Sequence, residues 1–179
     1  ACITFDDGYA DNAEIALPIL QKHGVTATFF IASGFLDGGR MWNDTVIESV
    51  RRAKGDTLDL NAIGLGNHAI ATLEQRRKTL NLLIDKLKYL PHEARASQVD
   101  KLSTIIAADL PDNLMMTSAQ VRQLHDAGME IGGHTLTHPI LASIDDAAAR
   151  TEIAEGKAKL EAIIDTPLRL FAYPNGKPG

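Results

Sequence analysis

Two carboxylates and two imidazoles stand out in this chain, because together they can hold a divalent cation and leave a base beside it. The carboxylates are consecutive, in Ile3-Thr4-Phe5-Asp6-Asp7-Gly8-Tyr9, at the end of an apolar run. The imidazoles lie four residues apart, in Gly132-Gly133-His134-Thr135-Leu136-Thr137-His138-Pro139. Two His and one Asp form a three-ligand set that leaves a metal an open position for water, as catalytic zinc sites do. The other Asp is then placed to act as a base beside that water.

Each cluster also has a plainer reading. Asp6-Asp7-Gly8 reads as a turn in which one Asp caps the next helix. A calcium loop fails. Counted from Asp6 or Asp7, position six is Asp11 or Asn12 rather than Gly, and position twelve is Leu17 or Pro18 rather than Glu. Isolated histidines are more often surface or hydrogen-bonded core residues than ligands, but here the flanks favour ligation. Gly132-Gly133 permits close backbone approach, Pro139 fixes the chain, and Thr135 and Thr137 offer hydrogen bonds behind the ligands. No Glu follows His134, and the Gly pair argues against a helix, which excludes the helical metalloprotease arrangement. A third cluster, Arg169-Leu170-Phe171-Ala172-Tyr173-Pro174-Asn175-Gly176, reads as a strand followed by a Pro-Asn-Gly turn. A backbone N–H of that turn is a candidate donor to an oxyanion.

The elements that must position these groups follow from the apolar pattern. Ala1–Phe5, Val25–Ile31, Met129–Gly132 and Leu168–Ala172 read as strands. Leu17–His23 reads as a helix stopped by Gly24. Asn43 or Asp44 caps a helix through Ala53, and Thr57–Ile63 reads as a strand or hairpin. Leu73, Leu80, Ile84, Leu87 and Leu90 form one helical face, and a further helix covers Glu93–Ala108. Thr117 caps a helix ending at Gly128, and Asp145–Ile164 is a long helix. Strands alternating with helices predict an α/β fold with parallel pairing, with the carboxylates and histidines just past strand C-termini. Residues 36–116 exceed one strand–helix unit, and we read most of them as a helical insertion or lid.

With 179 residues, 45% of them hydrophobic, the chain suits one domain with a real core. The net charge of −5, with Arg51-Arg52 and Arg76-Arg77-Lys78 as solvated helix faces, argues against nucleic acid as a partner. No apolar run approaches the ~20 residues of a membrane span. The single Cys2 excludes an intrachain disulfide. The chain opens directly in a strand and stops at Pro178-Gly179, so both ends read as cut, and a removed targeting segment is compatible with this.

Together, Thr4-Phe5-Asp6-Asp7-Gly8, His134-Thr135-Leu136-Thr137-His138 and Phe171-Ala172-Tyr173-Pro174-Asn175-Gly176 resemble the first three motifs of the polysaccharide deacetylases, the NodB-homology domain of carbohydrate esterase family 4. Their order and spacing agree, and Val25–Ile31 is similar to the family's ATFF strand. The resemblance spans the chain apart from the insertion. It implies one domain over 1–179, a distorted (β/α) barrel that is C-terminally incomplete and carries the insertion at about 36–116. It implies a metal-dependent hydrolase that removes N- or O-acetyl groups from a carbohydrate polymer or oligomer. Asp6 would be the catalytic base, and Asp7, His134 and His138 would hold one divalent metal, zinc before cobalt or nickel. The Asn175 N–H would bind the oxyanion, and Tyr173 and Pro174 would line the substrate groove. Many members carry an Arg at the position of Ala172 to steady the base; Arg169 is the candidate substitute. The family's last two motifs, with the general-acid His, are absent, and His23, His68, His92 and His125 lie in no matching context. This predicts a chain that catalyses poorly alone and an exposed sheet edge near Leu168–Ala172 on which it can self-associate. The resemblance favours the cell envelope or secretion. Two alternatives are a small-molecule amide hydrolase on the same scaffold and a non-catalytic carbohydrate-binding relative. The intact Asp6 counts against the second, because a purely structural site needs no base.

Overall fold

The computed structural model describes residues 1–176, so the cut end placed at Pro178-Gly179 lies outside the described residues. In chain order the regular elements are β1 (Thr4–Phe5), α1 (Leu17–Lys22), β2 (Thr28–Ile31), α2 (Trp42–Arg52), β3 (Thr57–Leu60) and β4 (Gly66–Ala69). Then follow α3 (Leu73–Lys88), α4 (His92–Ile106), α5 (Ser118–Asp126), β5 (Glu130–Gly133) and α6 (Asp146–Ile164). They divide into two compact units: Ala1–Gly39 with the chain from Asp112 onward, and Arg40–Pro111.

The first unit is built on a parallel sheet in the order β1-β2-β5. Thr4 pairs with Thr28, and Phe29 and Phe30 pair with Ile131 and Gly132. Phe29 and Ile31 are fully buried and pack against Leu17, Val121, Leu124 and Leu160, while the Phe5 and Phe29 rings stack at 4.8 Å. β2 begins at Thr28 rather than Val25, because the Val25 N–H is spent closing the end of α1 on Leu20 O. A π-helical turn over Asn12–Ala16 precedes α1, so helical structure starts earlier than predicted. Thr117 caps α5 in a reciprocal capping box with Gln120, and the Asp145 side chain caps α6 through the Ala148 N–H.

One expectation is corrected in this unit. Leu168–Ala172 is not a strand: it touches β5 by a single parallel bridge, Gly133 to Phe171. The two bonds of that bridge join Gly133 N to Leu170 O and Ala172 N to Gly133 O. On this edge the next rung would need Thr135 N and an N–H at position 174, but Thr135 has turned to φ 66° and residue 174 is Pro, so the ladder stops there. Among the described residues the parallel sheet is open and does not close on itself.

The second unit packs α2, α3 and α4 with the antiparallel hairpin β3–β4 around Val46, Val50, Leu60, Ile70, Leu83, Leu87 and Leu102. Asn43 and Asp44 do not cap α2; Met41 stands at the cap position and both lie inside the first turn. The buried stripe of α3 is Thr79, Leu83 and Leu87, while Leu73 is exposed and Leu80 and Ile84 sit at the margin. The Thr79 hydroxyl donates to Ala69 O at 3.2 Å and fixes that face toward β4.

Candidate active site

The C-terminal ends of parallel strands are where α/β sheets present chemistry, and there the Asp pair and the His pair meet. Phe5 ends β1, and the chain then reverses through Asp7 (φ 75°) and Gly8 (φ 93°). A left-handed conformation is uncommon for a side-chain-bearing residue, although Asp tolerates it better than most. Gly8 has a second reason to be glycine: a Cβ there would lie 2.8 Å from Ile31 Cγ2. The turn directs the Asp7 carboxylate toward the loop after β5 and leaves Asp6 exposed beside it.

On the other side, the Gly pair of β5 admits two rings. A Cβ on Gly132 would stand 2.5 Å from the Phe30 ring, and one on Gly133 would stand 3.3 Å from Phe171. His134 follows, only 2% exposed, with Nδ1 2.8 Å from Ala172 O. A carbonyl only accepts, so Nδ1 carries the proton and Nε2 presents a bare lone pair.

Three potential metal-ligating atoms converge. His134 Nε2 lies 3.2 Å from His138 Nε2, and Asp7 Oδ1 lies 3.4 Å from the first and 3.2 Å from the second. A tetrahedral zinc with arms of 2.0–2.1 Å requires ligand–ligand edges of about 3.3–3.4 Å. The triangle therefore fits one small divalent cation, and these residues are also the three-member donor cluster found among the described residues. Electrostatics agree. Burial works to raise the Asp7 carboxyl, but the two imidazoles beside it outweigh that and hold it well below the usual carboxylate range. Burial works to lower His134, while Asp7, the Ala172 carbonyl and Asp6 outweigh it and raise its affinity for positive charge.

Around the triangle opens a cleft of about 530 Å³, lined by Asp6, Asp7, the two histidines, Phe171, Ala172, Tyr173, Asn175 and Gly176. Tyr173 is 45% exposed and meets the Phe171 ring edge-on at 5.2 Å. Asn175 sits at φ 58° in the turn closed by Gly176 N to Tyr173 O.

The polysaccharide deacetylase family model matches residues 1–88 and 92–178. The chain belongs to the polysaccharide deacetylase family. A 29-residue stretch is 59% identical to YxkH of Bacillus subtilis (strain 168), covering 16% of this chain and 10% of that one. Among solved structures, the Streptococcus pyogenes deacetylase PplD in complex with acetate superposes with a TM-score of 0.55 at 18% identity, over 99% of this chain and 47% of that one. IcaB of Ammonifex degensii gives 0.53 at 17% identity, over 99% and 51%. A family 4 carbohydrate esterase of Streptomyces lividans in complex with acetate gives 0.50 at 16% identity, over 100% and 53%. At these identities the likeness establishes the α/β fold. The chain spans about half the length of these structures.

Within this polysaccharide deacetylase chain, the structure gathers Asp6, Asp7, His134, His138, Tyr173 and Asn175 at one cleft. It does not bring Arg169 or Pro174 there. Arg169 is exposed and forms no ion pair with Asp6; Pro174 is buried behind the turn that carries Tyr173 and Asn175. Two contributors were not foreseen. The Ala172 carbonyl, which orients His134, leaves no side-chain signal. Glu152 receives the N–H groups of Leu136 and Thr137, between the histidines. Its signal was present as Gly156 one turn further on, since a glycine inside a helix marks a close approach.

Proposed function

We propose that this protein is a metal-dependent hydrolase that removes N- or O-acetyl groups from a carbohydrate. The observation that carries this is the convergence of Asp7, His134 and His138 within 3.2–3.4 Å at a cleft whose rim also holds Asp6. A divalent metal held by those three, zinc before cobalt or nickel, would supply Lewis acidity to the acetyl carbonyl and to an attacking water. Asp6, exposed on the cleft, accepts a proton from that water. The Asn175 N–H donates to the oxygen that gains charge as the carbonyl carbon becomes tetrahedral. Asp6, once protonated, can return a proton to the departing amine or alcohol. Tyr173, an exposed ring on the rim, offers a face for a sugar ring.

We further read the three-stranded sheet as an arc of a distorted (β/α) barrel, and Arg40–Pro111 as an insertion into the deacetylase domain. The parallel order β1-β2-β5 supports the first, and the separate core of Arg40–Pro111 supports the second. Acetate release from acetylated glucosamine oligomers and acetylated xylan, with zinc or cobalt added, tests the activity. D7A should lose the metal. D6N should keep it and lose turnover by roughly 10²–10⁴, the usual contribution of a general base. Near-wild-type turnover in D6N would overturn the assignment of Asp6.

A further inference from the structure

We propose that Glu152 is a positioning residue for the histidine pair: its carboxylate, carried by α6, holds the loop from Thr135 to His138 in the shape that converges the two imidazoles. This rests on His134 and His138 being metal ligands. The loop cannot hold that shape unaided, because Thr135 stands at φ 66° and His138 at φ 58°, a region that L side chains rarely adopt and β-branched ones least of all.

The backbone groups of the loop account for its restraints. Its carbonyls are taken by the segment after β2: Ser33 N donates to Thr135 O at 3.3 Å, and Gly34 N to Leu136 O at 2.7 Å. Its N–H groups go the other way. Leu136 N and Thr137 N both donate to Glu152 Oε2, at 2.9 and 2.7 Å, and the Thr137 hydroxyl donates to Oε1 at 2.5 Å. Three donors on one ionised carboxylate are charge-assisted bonds, about twice as strong as neutral ones. Within the loop, His138 N donates to Thr135 Oγ1 at 3.0 Å. Gly156, one turn beyond Glu152 on the same face of α6, lets the helix approach. A Cβ there would lie 2.7 Å from the Thr135 carbonyl carbon, and Ser33 Oγ donates to Gly156 O at 3.2 Å. Leu136 and Thr137 lie between the two ligands, so releasing them frees the spacing of His134 and His138. Residues that orient metal ligands are typically worth 10–100-fold in metal affinity.

The test uses the whole protein with Zn²⁺ or Co²⁺ alone as probe, beside amide hydrogen exchange on the metal-free form. Glu152→Ala should bind either metal about 10–100-fold more weakly. It should also expose the Leu136 and Thr137 amides to exchange at least ~10-fold faster. Glu152→Gln, which keeps an acceptor oxygen but no charge, should lose less on both measures, and it serves as the readout if the alanine variant does not fold. Glu155→Ala, an exposed change on the same helix, should move neither. Unchanged metal affinity in the Glu152 variants, or unchanged protection of those two amides, overturns the proposal. If the wild-type protein binds neither metal, the ligand reading fails separately. The exchange arm then decides: faster exchange confined to Leu136 and Thr137 supports the positioning role, and unchanged exchange overturns it.

Discussion

Gly156→Ala sets helix propensity against packing, and the structure says which wins. On an isolated helix, replacing an interior Gly by Ala stabilises by about 0.8–1.0 kcal/mol. Here the new Cβ would stand 2.7 Å from Thr135 C, 2.8 Å from Thr135 O and 2.9 Å from Leu136 N. Carbon contacts rest at about 3.5–4.0 Å, so the loop or the helix must retreat by about 0.8 Å or more. The loop is pinned, because Ser33 N holds Thr135 O, Gly34 N holds Leu136 O and Glu152 holds Leu136 N. Overpacking costs about 1–3 kcal/mol; with three pinned backbone atoms inside 3.0 Å the upper part, about 2–3 kcal/mol, applies, leaving a net loss of about 1–2 kcal/mol after the propensity gain. At about 2–4 °C per kcal/mol for a chain of this size, thermal unfolding followed by circular dichroism should shift down by about 2–8 °C. Lys157→Ala, an exposed neighbour on the same helix, serves as the control. A midpoint equal to or above wild type would refute the reasoning, and would mean that α6 and the histidine loop separate easily.

Metal should stabilise the fold as well as activate it. Zinc at 100 times its dissociation constant adds about 2.7 kcal/mol, a rise of about 5–10 °C in Tm that D7A should abolish. Glu48, whose side chain is 6% exposed, is held below its ordinary value of 4.5: burial works to raise it, and Arg52 and Arg51 outweigh that. Because its folded value is depressed, the stabilisation is fully present above pH 4.5 and is lost as pH falls through the lower value. The difference in urea midpoint between wild type and Glu48→Gln should therefore shrink as pH falls from neutral to about 3. Thr72 caps α3 through the Gln75 N–H, so Thr72→Ala should cost about 1 kcal/mol in the same assay, and Thr72→Gly only a few tenths.

The elements whose identity depends on local pattern were legible in the sequence. β2 follows from a β-branched run, α5 from the Thr117 cap, and α6 from a long uninterrupted helical stretch. That Asp6, Asp7, His134 and His138 would meet at one place was legible from their residue types, their spacing and the motif resemblance. What was not legible depends on partners distant in sequence. Leu168–Ala172 has strand-like composition, yet it forms only one bridge, because Thr135 leaves the extended conformation and Pro174 offers no N–H for the next rung. Glu152 looks like any helix-surface acid until α6 packs on the loop. Leu73 carries the apolar period of α3 yet points to solvent, since Thr79 anchors the neighbouring stripe on β4. Pro174 was assigned from the motif resemblance and Arg169 from its place three residues before Ala172, and neither says which way a side chain points.

The chain leaves the first unit at Gly39 and re-enters it at Asp112. Gly38 and Asp112 lie close enough that a Cβ on the glycine would be 3.7 Å from Asp112 O. Within Arg40–Pro111, the Arg40 guanidinium donates to Pro111 O, and Arg52 donates to Asp109 O. The consequence concerns the order of folding. The 72 residues of the second unit (111 − 40 + 1) form a contiguous stretch with its own core. If they remained unfolded, joining the two halves of the first unit would mean closing a loop of that length. If they fold first, the two ends are already neighbours, and the effective loop shrinks to roughly four residues. With a closure cost that grows as (3/2)RT ln n, prior folding of Arg40–Pro111 lowers the entropic barrier to forming the β1-β2-β5 sheet by about 2–3 kcal/mol.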